Sequence, residues 1–201
     1  MVKELYESHY KRVPEDVMPL TGSASNRSYF RLSSEAGTCV AAIGTDRQEN
    51  DAFVTLARHF RSKGINVPEV FMVSDDGMSY IQEDLGEDVL FDRLQKARKT
   101  GEGMDEVEDL LCRTMAELPK IQFEGGHGLD FSICYPQPSF DRRMVMFDLN
   151  YFKYCFLKAT GLEFNEVKLQ DDFDRLADDL LKDDMDTFMY RDFNARNVML
   201  H

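Results

Sequence analysis

Near its C-terminal end the sequence reads Phe188-Met189-Tyr190-Arg191-Asp192-Phe193-Asn194-Ala195-Arg196-Asn197-Val198-Met199-Leu200. An aspartate followed five residues later by an asparagine offers two complementary oxygens. The Asp192 carboxylate can take the proton from an attacking hydroxyl, and the Asn197 side-chain oxygen can ligate magnesium without overbinding it. Arg196 adds a planar cation where negative charge builds up as bonds change. Such a set suits phosphoryl transfer, which asks a protein for alignment and charge neutralisation rather than covalent work. Twenty-two aspartates and seven asparagines in 201 residues give about one such spacing by chance. The weight therefore lies in context: apolar residues flank the segment on both sides, and a basic residue stands beside each of the two oxygens.

Two further segments carry candidate binding groups. Between two β-like runs lies Leu20-Thr21-Gly22-Ser23-Ala24-Ser25-Asn26-Arg27-Ser28-Tyr29-Phe30-Arg31. Its small side chains let backbone N–H groups approach phosphate oxygens, and the hydroxyls of Ser23 and Ser25 are extra donors. Ser23, Ala24, Ser25 and Asn26 are thus candidates for nucleotide binding, with Arg31 added as a cation by the resemblance given below. The second segment, Tyr80-Ile81-Gln82-Glu83-Asp84-Leu85-Gly86, ends a predicted strand where helical periodicity takes over. An extended linker there can offer the Glu83 C=O and the Leu85 N–H to an adenine edge.

The elements that must hold these segments follow from periodicity. A short helix is predicted over the first dozen residues, ended by Pro14 and Pro19. Residues 28–32 and 38–43 read as a β-hairpin, and apolar residues from Glu49 to Phe60 recur at helical spacing up to Lys63-Gly64. Residues 69–73 and 78–82 flank Asp75-Asp76-Gly77, a strong hairpin signal. Helices are predicted near 87–99, 105–118, 141–160 and 171–185, with flexible connections at Thr100–Gly103 and Glu124–Gly128. In the last helix Phe173, Leu176, Ala177, Leu180 and Leu181 form one stripe, and the aspartates around it read as a solvated face rather than a calcium loop.

The formal net charge of −13 excludes a binder of nucleic acid that works by phosphate neutralisation, and disfavours an anionic membrane surface. No apolar run approaches bilayer length and the first residues lack a signal-peptide core, so a cytoplasmic protein is expected. Cys39, Cys112, Cys134 and Cys155 are far apart, without a zinc spacing, and are expected to be reduced and mostly buried.

Taken in order, the three segments make the chain resemble the aminoglycoside phosphotransferase and choline kinase superfamily, whose members share a protein-kinase-like fold. The stretch from Gly22 to Arg31 looks like the G-D-A-S-x-R-x-Y-F-R loop of bacterial kinases acting on N-acetylmuramate and N-acetylglucosamine. Tyr190 to Asn197 looks like their H-R-D-F-x-x-R-N, and Met146 to Phe152 falls where that group places a substrate-side helix. The resemblance implies an α+β, two-lobe fold: an antiparallel-sheet nucleotide-binding lobe over 1–85 and a partial helical lobe over 86–201. It also implies transfer of the γ-phosphate of ATP, with Mg2+, to a hydroxyl of a small sugar or amino sugar. Asp192 and Arg196 would be catalytic and Asn197 would be the metal ligand. The alternatives are an aminoglycoside- or choline-type acceptor, or a nucleotide-binding pseudokinase.

Three departures from the pattern set further expectations. Tyr190 replaces the histidine before Arg191, and its hydroxyl is expected to hold the loop by a hydrogen bond. Where V-A-x-K would place a phosphate-binding lysine, Val40-Ala41-Ala42 is followed by Ile43, so Arg27 or Arg31 is expected to supply the cation; Glu49, the candidate partner of such a lysine from the next helix, reads equally as an exposed first-turn acid. The sequence stops at His201, before the second metal-binding aspartate of the fold, so a truncated chain with little activity of its own is expected. A local group of Arg27, Arg31, Arg191 and Arg196 would favour a polyanionic nucleotide despite the acidic total.

Overall fold

The computed structural model describes residues 2–20, 26–182 and 186–201. The chain forms two compact units, Met1–Pro136 with Phe188–His201, and Gln137–Thr187.

The first unit is built on a five-stranded antiparallel sheet: β1 (Asp16–Leu20), β2 (Ser28–Ser34), β3 (Gly37–Ile43), β4 (Val70–Val73) and β5 (Ser79–Glu83), in the order β1-β2-β3-β5-β4. Alternation along β3 sends successive side chains to opposite faces. Cys39 and Ala41 join Leu32, Ile81 and the residues Leu5 and Tyr6 of helix α1 (Val2–Tyr10). Ala42 joins Tyr80, Val70 and the residues Val54 and Ala57 of α2 (Arg47–Ser62). One helix therefore covers each face, and the small alanines at the sheet centre allow both to come close.

Local chemistry sets the ends of these elements. The Asp46 carboxylate caps α2 by accepting from the N–H groups of Gln48 at 2.7 Å and Glu49 at 3.4 Å. Tyr6, fully buried, donates its hydroxyl to the Gly37 carbonyl at 2.6 Å and lies 2.8 Å from the Ser34 hydroxyl. Gly37 has φ +148, and a Cβ there would meet the Tyr10 ring at 2.7 Å, so the hairpin turn beneath α1 requires glycine. α1 stops at Tyr10, where Lys11 turns at φ 56, before either proline is reached, and Asp16–Leu20, to which the sequence assigns no element, is a strand. Pro19 stays in it because β1 is an edge strand, where one side of the backbone needs no partner.

Beyond β5 come α3 (Leu90–Thr100) and α4 (Met104–Pro119), joined through Gly101 and Gly103, both at positive φ. Pro119 closes α4, and the chain widens into a π-type turn over Lys120–Glu124. The following Gly125-Gly126 is not the flexible connection expected. A Cβ on Gly126 would lie 2.7 Å from the Gln122 carbonyl oxygen and 3.1 Å from the Phe188 nitrogen, so two backbones meet here.

The second unit pairs α5 (Arg142–Tyr151) with α6 (Glu166–Leu180). The single helix expected over 141–160 gives way after Tyr151 to a π-type turn (Phe152–Leu157) and a 3-10 turn (Lys158–Thr160). α6 starts earlier than its stripe indicates, because Asn165 caps it through the Lys168 N–H at 3.0 Å. Only Phe173 and Ala177 of the stripe are buried, while Leu176 and Leu180 are exposed: a two-helix contact covers one narrow line. Arg142 joins the helices by bonding Asp174 and Asp178. Buried Lys153 pairs with Glu166 at 3.0 Å, and Lys158 pairs with the same carboxylate at 2.8 Å.

All four cysteines are free, but only Cys39 is buried; Cys112 and Cys155 are exposed. They occupy outward positions on helical turns that composition does not distinguish. Among the described residues, no helix is long and apolar enough to cross a membrane.

Replacing Tyr6 by Phe leaves the Gly37 carbonyl without its donor and should lower unfolding stability in urea by about 1–2 kcal/mol. A second prediction concerns Glu166, whose hydrogen bonds to Lys158 and Lys153 hold its carboxyl down from 4.5 to about 2. A depressed acid stabilises the fold above its ordinary pKa and loses that contribution as pH falls through the folded value. Between pH 4.5 and 2, circular dichroism of Glu166→Gln should therefore show a shallower loss of helix than the parent chain.

Candidate active site

The segment Phe188–Leu200 enters through the glycine turn. The Phe188 N–H donates to the Gln122 carbonyl at 3.2 Å, and its ring meets Phe60 edge-on with centroids 4.9 Å apart. Tyr190 and Phe193, themselves edge to face at 5.4 Å, pack on the cluster of Phe60, Ile65 and Ile121. Tyr190 thus supports the loop with its ring. Among the described residues its hydroxyl makes no hydrogen bond, which corrects the expected support. Burial, with the Asp192 charge adding to it, pushes that phenol up.

Arg191 then turns the chain sharply. Its φ of 60 is one of two positive values at non-glycine residues among those described, and the Asp192 N–H donates across it to the Tyr190 carbonyl at 2.8 Å. A three-residue turn with positive central φ is rare and strained, by about 1–3 kcal/mol. The packed rings on one side and a hydrogen-bonded knot on the other hold it. In that knot, the Asn194 and Asn197 amides both donate to the Asp192 backbone carbonyl, at 3.1 Å and 2.9 Å. The Asn194 side-chain oxygen accepts from the Arg196 N–H at 3.0 Å, and its backbone carbonyl accepts from the Asn197 N–H at 2.9 Å. The Asp192 backbone is fixed, while its side chain is exposed and, among the described residues, without a hydrogen bond or ion pair. Asn194 is a positioning residue that the motif reading treats as variable. Its signal is the preference of asparagine for the cap of a helical turn, here the 3-10 turn Ala195–Asn197.

Arg196 stacks on the Phe91 ring of α3, its guanidinium carbon 4.1 Å from the centroid. The chain leaving the loop pairs with residues just after the linker. Met199 bridges Val89, the Leu90 N–H donates to Val198 O at 3.0 Å, and the Leu200 N–H donates to Asp88 O at 2.8 Å.

The linker itself is fastened to β2. The Arg31 guanidinium forms a two-pronged pair with Asp84, at 2.7 Å and 3.0 Å, and also bonds Glu87 and the Gly86 carbonyl. Asp84 is nearly buried, with 7% of its side chain exposed, and with burial it pushes the adjacent Cys39 thiol up to about 12. Glu83 accepts from Arg61 and from the Glu69 N–H through its carboxylate. No described residue takes the Leu85 N–H. Asn26 is exposed directly before β2; Ser23, Ala24 and Ser25 lie outside the described residues.

Immediately before β2, Arg27 forms an ion pair with Glu49 of α2 at 3.0 Å and also donates to the Glu49 carbonyl at 3.2 Å. Ile43 is not the residue opposite this pair. It follows Ala42 and shares the Ala41 side of the sheet, towards α1, whereas Ala42 faces α2. The position facing the pair is therefore Ala42, and a one-residue offset reverses the face.

The structure brings Asp192, Asn194, Arg196 and Asn197 into one loop and joins that loop to the linker through residues 88–90. Among the described residues, no hydrogen bond or ion pair connects the loop to Asn26, Arg31, Glu83 or Leu85. Nor does any group of three or more His, Cys, Asp or Glu residues stand ready to hold a metal ion. A magnesium ion here would rely on Asn197 and on phosphate oxygens, in keeping with its habit of retaining waters and substrate ligands.

Removing one partner of a nearly buried ion pair strands the other. Asp84→Ala should cost about 2–3 kcal/mol in urea unfolding and should raise amide exchange across residues 84–90; unchanged exchange there would mean that the pair does not fasten the linker.

Among curated proteins none matches the chain. The family profile described as "Phosphotransferase enzyme family" matches residues 16–201, from the edge strand of the sheet through the Asp192 loop. The chain accordingly belongs to the phosphotransferase enzyme family, within the protein-kinase-like superfamily.

Proposed function

We propose that the protein transfers the γ-phosphoryl group of ATP, with magnesium, to a hydroxyl of a small sugar-like acceptor. One observation carries this reading: an exposed Asp192 carboxylate, unpaired among the described residues, on a backbone that two asparagine amides lock in place. A base must be free to take a proton yet unable to drift from the acceptor. Asp192 accepts the hydroxyl proton as the oxygen attacks the γ-phosphorus and the bond from that phosphorus to the bridging oxygen breaks, ADP leaving with the electron pair. Asn197 has given its N–H to the loop and keeps its side-chain oxygen for a cation. When bound, magnesium supplies charge neutralisation on the phosphates. Arg196, held flat on Phe91, offers its guanidinium edge to the transferring group.

In this reading the Leu85 N–H and the Glu83 carbonyl meet the adenine edge, and residues 23–26 cover the phosphates. Arg31 serves nucleotide binding by holding the linker in shape. The two lobes divide near residue 85. The likeness of residues 22–31 and 190–197 to kinases of cell-wall amino sugars supports the acceptor class. An ATP-dependent enzyme with four free thiols fits the cytoplasm.

The test measures magnesium-dependent ATP binding by calorimetry and phosphoryl transfer to a panel of amino sugars, aminoglycosides and choline. Asp192→Asn should lower kcat by about 10²-fold or more while changing the Kd for ATP little. Equal loss of binding and turnover would make Asp192 structural. Absence of nucleotide binding by the parent chain would overturn the reading, and transfer only to cationic acceptors would overturn the sugar assignment.

A further inference from the structure

We infer that Arg27, immediately before the strand beside the usual one, supplies the phosphate-anchoring cation of this protein, with Glu49 as its positioning residue. The inference rests on the ATP-binding reading above. Phosphotransferases with this fold pair a lysine on the third strand with a glutamate on the next helix, and the lysine contacts nucleotide phosphates. Here the α2-facing position on β3 is Ala42, fully buried beneath Tyr80 and Val54. It holds no charge. Tyr29 is its register partner, and Arg27, two residues before Tyr29 and just outside β2, meets Glu49 and Phe53 of α2. A cation from the approach to β2 thus reaches the helix that the empty β3 position faces.

Its surroundings fix it there. The Arg27 guanidinium bonds both the carboxylate and the backbone carbonyl of Glu49, at 3.0 Å and 3.2 Å, in the first turn of α2. It lies over the Phe53 ring, 5.3 Å from the centroid, and Phe53 in turn stacks on buried Tyr80 at 4.9 Å. Only 11% of the side chain is exposed. A buried ion pair adds little net stability over apolar residues of similar size, because desolvation offsets the attraction. Stability alone gives weak reason for this pair to be kept. Phosphate recognition gives a stronger one, since a planar guanidinium presents several N–H donors in a fixed fork.

Position favours Arg27 over Arg31 of β2. Arg31 shares the Tyr29 face, but Asp84, Glu87 and Gly86 engage its guanidinium at the linker end. Arg27 precedes the opposite end of β2, immediately after the phosphate-loop candidates Ser23 to Asn26.

Calorimetry on the 201-residue chain, with magnesium-ATP and with adenosine, tests the assignment. Arg27→Met should weaken magnesium-ATP binding about tenfold or more and leave adenosine binding unchanged. Arg27→Lys should regain most of the loss, and Glu49→Gln should weaken magnesium-ATP alone by a smaller factor. Arg27→Met with parental affinity overturns the assignment by itself. So does an equal loss for both ligands with a lowered Tm, which marks a structural arginine. A parent chain that binds adenosine and ATP equally well retains the nucleotide site but overturns the phosphate anchor. A parent that binds neither overturns the nucleotide reading and this one with it.

Discussion

The pairing of β2 with β3 is the constraint from which the site follows. With Ser28 opposite Ile43 and Tyr29 opposite Ala42, the odd-numbered residues of β2 face α2 and the even-numbered ones face α1. Leu32 and Phe30 then enter the α1 cluster, while Arg31 emerges on the other side and Arg27, just before the strand, meets the start of α2. Four residues of extended chain span about 13 Å, so one arginine meets the start of α2 and the other meets the linker. A slip of one residue would turn the Arg31 guanidinium towards α1 and put Leu32 in its place. The apolar demand of the α1 cluster therefore also aims this charge.

From that strand the mechanical connection runs outward in short steps. Arg31 holds Asp84 and the linker, the linker continues into residues 88–90, and these pair with Val198, Met199 and Leu200 at the exit of the Asp192 loop. The loop's entrance is anchored separately, by Phe188 and Tyr190 on the cluster beneath the end of α2. The strained turn at Arg191 is gripped from both sides, and its strain is borne by packing that serves the fold anyway.

Much of this was legible before any coordinates. The hairpin turns, the two-helix run after β5 and the Asp-Asn spacing are local signals, and local signals report local structure. β1 was hidden because Pro19 speaks against a strand, and only its edge position makes the proline acceptable. The unwinding after Tyr151 was hidden because apolar spacing continues across it. The face of residue 43 is not readable from sequence, because alternation gives relative sides and not which helix covers each one. Partners far apart in sequence, such as Arg31 with Asp84 or Arg27 with Glu49, leave no periodic trace at all. The role of Tyr190 was read as polar and is aromatic: a ring that packs can replace one that bonds, and sequence alone does not rank the two.

The double amide grip on the Asp192 carbonyl has an evolutionary corollary. A residue whose main chain is tied down twice cannot be re-aimed by drift in its neighbours, so the proton acceptor is a fixed point around which acceptor preference must change. New specificities in proteins built this way should arise from side chains that steer the incoming molecule, leaving the Asp192–Asn197 loop untouched while the walls around it diversify.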